Sequence, residues 1–128
     1  MDNLNAKGTI LFVDDEQVVL DVGTLMLDRL GYNVLQATSG LEANQIFIDN
    51  TDEICLVILD ILLPDGDGSD TCKRLKETNP DLKVLHTSGL GRTQGGEIME
   101  CGCNGFLAKP FKIETLSKKL RLLLENQR

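Results

Sequence analysis

The sequence predicts an α/β fold: a single doubly wound domain in which one five-stranded parallel sheet is covered by helices on both faces. Three observations carry this. Short, branched apolar runs alternate strictly with helix-period segments along the chain. The middle run, Ile54 to Leu59, is apolar nearly throughout, the pattern of a strand buried on both faces. The 128 residues hold no repeat or low-complexity tract, and a chain of that size buries about two-thirds of its unfolded surface without disulfides.

Thr9 to Val13 (Thr-Ile-Leu-Phe-Val) is the first strand, and it stops at acids. Val18, Val22, Leu25, Met26 and Leu30 then recur at helical spacing, and Gly31 closes that helix in the left-handed turn glycine adopts without steric cost. Asn33 to Thr38 is the second strand. Ser39 with Glu42 three residues later is a capping box that opens a helix through Ala43, Ile46 and Phe47. The third strand, Ile54 to Leu59, runs into a Pro/Gly/Asp loop, Pro64 to Gly68, and then a helix carrying Cys72 and Leu75 that ends before Pro80. Lys83 to Thr87 is the fourth strand and Gly105 to Ala108 the fifth. Between them, Leu90 to Cys101 contains Gly91, Gly95 and Gly96. Each glycine costs a helix about 1 kcal/mol against alanine, so a fourth helix there is expected to be short or marginal. The last helix sets Ile113, Leu116, Leu120, Leu123 and Leu124 on one face. Right-handed crossovers between parallel strands put these helices on both faces of the sheet.

Charge and cysteine usage narrow the function. The 20 acidic and 13 basic residues give a net charge of -7, which disfavours a free-standing nucleic-acid binder. The acids are also unevenly placed: residues 1–70 hold 14 acids and 2 bases, residues 71–128 hold 6 and 11. No stretch approaches the roughly 18 apolar residues that span a bilayer, and Met1 to Gly8 lacks the basic start and apolar core of a secretory signal. A cytoplasmic protein is expected, with Cys55, Cys72, Cys101 and Cys103 reduced and two of them packed in apolar runs. A metal or redox role for Cys101-Gly-Cys103 lacks a second pair, and the single His86 is distant.

In parallel sheets of this kind, ligands bind beyond the carboxyl ends of the strands. Strand one ends in Asp14-Asp15-Glu16, strand three in Asp60, strand four in Thr87-Ser88-Gly89, and strand five runs into Lys109-Pro110. If strands one and three are neighbours, Asp14, Asp15 and Asp60 converge and repel one another unless neutralised. Mg²⁺ (or Mn²⁺) is the natural partner for such an oxygen set, with Lys109 and the Ser88 hydroxyl facing the same pocket. Carboxylate nucleophile, divalent cation, lysine and hydroxyl are together what phosphoryl transfer to an aspartate requires. Each has a plainer reading alone: helix cap, turn serine, solvated lysine. Asp60 resists it, because a lone aspartate ending an apolar strand is costly if buried unpaired.

Val13-Asp14-Asp15-Glu16, Asp60-Ile61-Leu62-Leu63-Pro64 with Gly68, Ser88-Gly89 and Lys109-Pro110-Phe111 occur as one ordered set. With them the chain resembles the receiver domain of two-component response regulators over essentially its whole length. The resemblance implies a flavodoxin-like topology with strand order 2-1-3-4-5, one receiver domain over residues 1–128 with its core at about 8–126, and no output domain. It implies Asp60 as phosphoacceptor, Asp15 as direct Mg²⁺ ligand, Asp14 acting mostly through water, and the Leu62 backbone carbonyl completing the ligands. Ser88 and Lys109 would grip the phosphoryl oxygens, with Lys109-Pro110 a cis peptide. Ser88 and Phe106 would form the switch, read out on the fourth helix, fifth strand and fifth helix.

Three departures from the family pattern stand out. Phe106 replaces a frequent tyrosine and, lacking a hydroxyl, is expected to sit inward. Leu63 replaces a commoner methionine. Thr87 beside Ser88 leaves the hydroxyl ambiguous by one residue, Ser88 being favoured because Gly89 leaves room. Leu62 and Leu90, two residues beyond Asp60 and Ser88, cannot orient an attacking water, so slow self-dephosphorylation is expected. The implied partners are a sensor histidine kinase or histidine phosphotransfer domain, and a downstream effector or covalently attached kinase or output domain. Val84 to Gly89 resembles receivers attached to sensor kinases. A phosphorylation-dependent dimer is compatible with the resemblance, and neither nucleic acid nor membrane is implied as a direct partner. No enzyme activity is expected beyond the chain's own phosphorylation and dephosphorylation.

Three rivals remain. A haloacid-dehalogenase-like phosphatase would need a second aspartate where Leu62 stands. A flavin module would need a phosphate loop where Asp14-Asp15-Glu16 stands. A never-phosphorylated interaction module would typically lose part of the acidic set.

Overall fold

Strand and helix alternate as the sequence predicts in the computed structural model, which describes residues 7–89 and 104–125. The elements are β1 (Thr9–Val13), α1 (Gln17–Arg29), β2 (Asn33–Ala37), α2 (Gly40–Asp49), β3 (Ile54–Asp60), β4 (Leu62–Leu63), β5 (Gly66–Asp67), α3 (Gly68–Thr78), β6 (Lys83–Ser88), β7 (Gly105–Ala108) and α4 (Ile113–Glu125). The main sheet is parallel in the order β2-β1-β3-β6-β7. Setting aside the short antiparallel β4–β5 ribbon, this is the expected 2-1-3-4-5. The helix expected between the fourth and fifth strands, with Leu90, the three glycines, Cys101 and Cys103, lies outside the described residues, as does Met1 to Ala6.

Alternation along the central strands builds two core layers. Leu11, Val13, Val57 and Leu59 face Ala43, Phe47, Cys72 and Leu75 of α2 and α3. Ile10, Phe12, Leu56 and Ile58 face Leu20, Leu27, Leu116 and Leu120 of α1 and α4. β1 and β3 are therefore apolar on both faces, and Asp14, just after β1, and Asp60, the last residue of β3, emerge together at one rim. Leu63 is buried in the α2/α3 layer, so replacing the family's methionine keeps an apolar side chain there.

The helix termini follow their sequence signals. Gly31 has φ +98°, its amide donates to the Asp28 carbonyl and the Tyr32 amide to the Leu27 carbonyl, both at 3.0 Å, which satisfies the end of α1. Ser39 Oγ accepts the Glu42 amide at 3.1 Å, while Glu42 reaches back to the Thr38 amide rather than to Ser39.

Three expectations are corrected. The apolar stripe read from α1 is mostly outward: Val18, Val22 and Leu25 are 75 %, 47 % and 68 % exposed, while Leu20, Gly23 and Leu27 are buried. The inner stripe was hidden because its centre is a glycine, and a Cβ at Gly23 would collide with the Phe12 ring. The Pro64 to Gly68 segment is also more ordered than a loop. Leu62 pairs with Asp67 and Leu63 with Gly66 around the Pro64-Asp65 turn, and α3 starts at Gly68. Gly68 packs against the backbone of Asp60 and Ile61 so closely that no side chain fits. β6 runs one residue further than expected, because the Ser88 carbonyl accepts the Lys109 amide at 2.7 Å and extends the ladder.

Candidate functional site

Register decides which residues share the rim. Val13 pairs with Leu59, Asp60 with Thr87, and Ser88 with Ala108, so the residues ending or following β1, β3, β6 and β7 line up side by side. Asp14, Asp15 and Asp60 each offer a carboxylate oxygen within 4.8 Å of the others. Asp14 is fully buried, Asp60 nearly so, and Asp15 is exposed.

Lys109 answers two of them. Its Nζ donates to Asp14 Oδ2 and to Asp60 Oδ2, both at 3.0 Å, and Glu16 Oε1 stands 3.7 Å away. The remaining oxygens are held by backbone: the Glu16 amide donates to Asp14 Oδ1 at 2.9 Å and the Leu62 amide to Asp60 Oδ1 at 3.2 Å. The Asp14 amide donates to the Ala37 carbonyl at the end of β2. Lys109-Pro110 is a cis peptide, as the resemblance implies.

The charges do not cancel. Burial pushes the Asp60 carboxyl above its usual value; the hydrogen bond and charge of Lys109 pull it back without overcoming that, and the Asp14 charge adds to the rise. Burial works to lower the Lys109 ammonium, but its hydrogen bonds to Asp14 and Asp60 and their charges outweigh it, and it stays protonated more firmly than a free lysine. Three carboxylates meet one ammonium, leaving excess negative charge on clustered hard oxygens. That donor set suits a small divalent cation.

Ser88 and Thr87 are both fully buried. Ser88 Oγ donates to the Gly89 carbonyl at 3.0 Å, while Thr87 Oγ1 has no hydrogen-bond partner among the described residues. Because His86 pairs with Phe106 and Ser88 with Ala108, Ser88 and Phe106 share one face, and Thr87 shares the other with Leu107. Phe106 is half-buried. Alternation sends Leu107 into the α1/α4 core, so the ring takes the opposite face.

Two features carry no sequence signal strong enough to assign them. Glu16 was legible only as the tail of an acidic run, yet it reaches the same ammonium. Beside it runs a groove of about 450 Å³ lined by Val18, Val19, Val22, Met26 and Phe111, with Glu16 and Lys109 also on its wall.

The chain matches the family model described as response regulator receiver domain over residues 10–121. It is 32 % identical over 126 residues to the sensor kinase CckA of Brucella abortus, covering 98 % of this chain and 13 % of that protein. It is 32 % identical over 118 residues to the DNA-binding dual master transcriptional regulator RpaA of Synechocystis, covering 90 % of this chain and 48 % of that one. Among solved structures it is similar to a response regulator receiver domain protein from Clostridium thermocellum, with a TM-score of 0.86, 29 % identity, and 94 % and 96 % of the two chains covered. The chain thus spans about half, or far less, of the length of these curated relatives.

Proposed function

Because the chain belongs to the response regulator receiver domain family, we propose that Asp60 takes a phosphoryl group from a phosphohistidine on a sensor kinase or histidine phosphotransfer domain. One observation carries the assignment: Asp60 is the buried carboxylate that shares the Lys109 ammonium with Asp14 inside a cluster of three acids. In this reading Asp15, Asp14, Asp60 and the Leu62 carbonyl hold Mg²⁺, which when bound offsets charge on the transferred oxygens. An Asp60 oxygen attacks phosphorus in line; the P–N bond breaks and its electron pair returns to the imidazole. Lys109 shifts a hydrogen bond from Asp60 to the phosphoryl group. The Ser88 hydroxyl turns from the Gly89 carbonyl to another phosphoryl oxygen, and the change reaches Phe106 along their common face.

The groove beside α1 supports the partner. Its apolar wall begins at Glu16 and Lys109, so a helix carrying the phosphohistidine can pack on Val18 and Val22 while its imidazole reaches Asp60. β7 and α4 would then carry the readout to an effector or attached domain. A cytoplasmic setting belongs to the same reading: Cys55 and Cys72 form no disulfide among the described residues, and no helix among them is long and apolar enough to cross a membrane.

The test is incubation with acetyl phosphate and Mg²⁺ followed by intact mass. One phosphoryl adduct is expected, absent from Asp60→Asn. No adduct, or one that survives the substitution, overturns the assignment. A phosphatase reading is disfavoured by Leu62, which offers no acid two residues beyond Asp60, and sustained turnover of a phosphate ester would revive it.

A further inference from the structure

We propose that Asp65 is a positioning residue for the cation-binding side of the Asp60 pocket, a reading that rests on the function proposed above. Its Oδ1 accepts the Gly40 amide at 2.9 Å and its Oδ2 the Leu41 amide at 2.8 Å, clasping the β4–β5 turn to the start of α2. The ribbon bearing that turn also bears Leu62. At its base the ribbon is tied to the site: the Leu62 amide donates to Asp60, and the Gly68 amide to the Ile61 carbonyl at 2.6 Å. Its tip is exposed, and a side chain added at Gly66 would meet nothing within 4 Å. The Asp65 carboxylate therefore holds a tip that packing leaves loose.

The other end of the clasp leads back to the pocket. α2 follows directly on β2, whose Ala37 carbonyl accepts the Asp14 amide at 3.1 Å. The two arms proposed to hold the cation, Asp14 after β1 and Leu62 after β3, are thus braced against each other through the α2 N-terminus and Asp65. Asp65 also caps α2, and what sets it apart from an ordinary cap is that its oxygens come from the ribbon that bears Leu62. α2 already has its own cap, with Ser39 accepting the Glu42 amide, and Asp65 takes the two earlier amides from a distant loop.

The experiment is a Mg²⁺ titration of the ¹⁵N-labelled chain, followed at the Asp60 and Leu62 amides, for wild type, Asp65→Ala, Asp65→Asn and Ser39→Ala. Asp65→Ala is expected to weaken Mg²⁺ about fivefold, less than the roughly tenfold or more lost with a group bonded directly to a metal ligand. Asp65→Asn keeps one acceptor oxygen and should recover part of that loss. Ser39→Ala weakens α2 through its other cap and should stay within about twofold of wild type. An unchanged midpoint in Asp65→Ala, or an equal shift in Ser39→Ala, overturns the proposal and leaves Asp65 a helix cap. If Asp65→Ala fails to fold, Asp65→Asn against Ser39→Ala decides in the same way. A wild-type chain that shows no saturable Mg²⁺ response overturns the function itself, and this inference with it.

Discussion

Asp60 and Asp65 lie at the two ends of one short segment and are held in opposite ways. Asp60 is buried, accepts one amide and one ammonium, and still has its carboxyl raised because burial outweighs both. Asp65 is exposed, and the Gly40 and Leu41 amides hold its carboxyl below the usual value, with the Arg74 charge adding to them. Hydrogen bonds favour the ionised form in both places; desolvation decides which carboxylate is left wanting more. The satisfied one is suited to hold structure. The unsatisfied one is suited to take a cation or a phosphoryl group.

The largest effect is expected from removing the cation that the pocket shares. Lys109→Met leaves Asp14, fully buried, facing Asp60 with nothing between them. Breaking such a pair from one side should cost about 3 kcal/mol in urea unfolding without Mg²⁺. Saturating Mg²⁺ should restore more stability to the variant than it adds to wild type, since a divalent ion can supply the missing charge. A loss below about 1 kcal/mol would mean that the two acids do not depend on Lys109, and the contrast with Asp65 would fail.

A smaller pair of effects should have opposite signs. Asp60→Asn removes a desolvated charge and keeps the shape, so without Mg²⁺ it should stabilise the chain by about 1 kcal/mol at pH 7. Because the folded-state value of Asp60 is raised, wild type gains stability as pH falls through it. The advantage of the variant should therefore shrink on that descent and vanish below the unfolded value near 3.8. Asp65→Ala should cost about 1 kcal/mol at pH 7, the usual loss for a carboxylate on helix amides. Here the folded-state value is lowered, so the contribution is present above 3.8 and lost as pH falls through the folded value. Denaturant midpoints of the three chains from pH 7 into acid would show both signs. If both variants move the midpoint in one direction at neutral pH, the two carboxylates are not held differently.

The pocket was legible in the sequence because its members end apolar strands, where period and polarity change together: Asp14 after Val13, Asp60 after Leu59, Lys109 after Ala108. The strand order entered only through the family resemblance, and only the order makes those ends neighbours. Asp65 was legible as a turn residue and no more. Its partners are amides 24 and 25 residues away, and backbone donors have no letter in a sequence. The α1 stripe misled for a related reason. Val18, Val22 and Leu25 carry the apolar period outward, while the true inner face depends on Gly23, whose lack of a side chain is the packing signal.

The smallest effect concerns Leu62, which sits on the ribbon between the two aspartates and belongs to both regions. Its amide points to Asp60 Oδ1, and its side chain, two residues beyond Asp60, is about half exposed. An apolar group there offers an incoming water neither a donor nor an acceptor, so hydrolysis of the Asp60 acyl phosphate should be slow. Leu62→Asn leaves the backbone hydrogen bond and the Asp65 clasp in place and adds an amide that can orient the water. The decay of phosphorylated chain, followed by intact mass after removal of acetyl phosphate, should quicken by about three- to tenfold, at most ~1.4 kcal/mol of barrier. The Mg²⁺ midpoint should stay at the wild-type value, because the proposed ligand at this position is the carbonyl and not the side chain. A decay rate unchanged or slower means that water reaches the phosphoryl group without help at this position. A weakened Mg²⁺ midpoint would mean instead that the Leu62 side chain helps hold the ribbon, and that Asp65 does not carry that task alone.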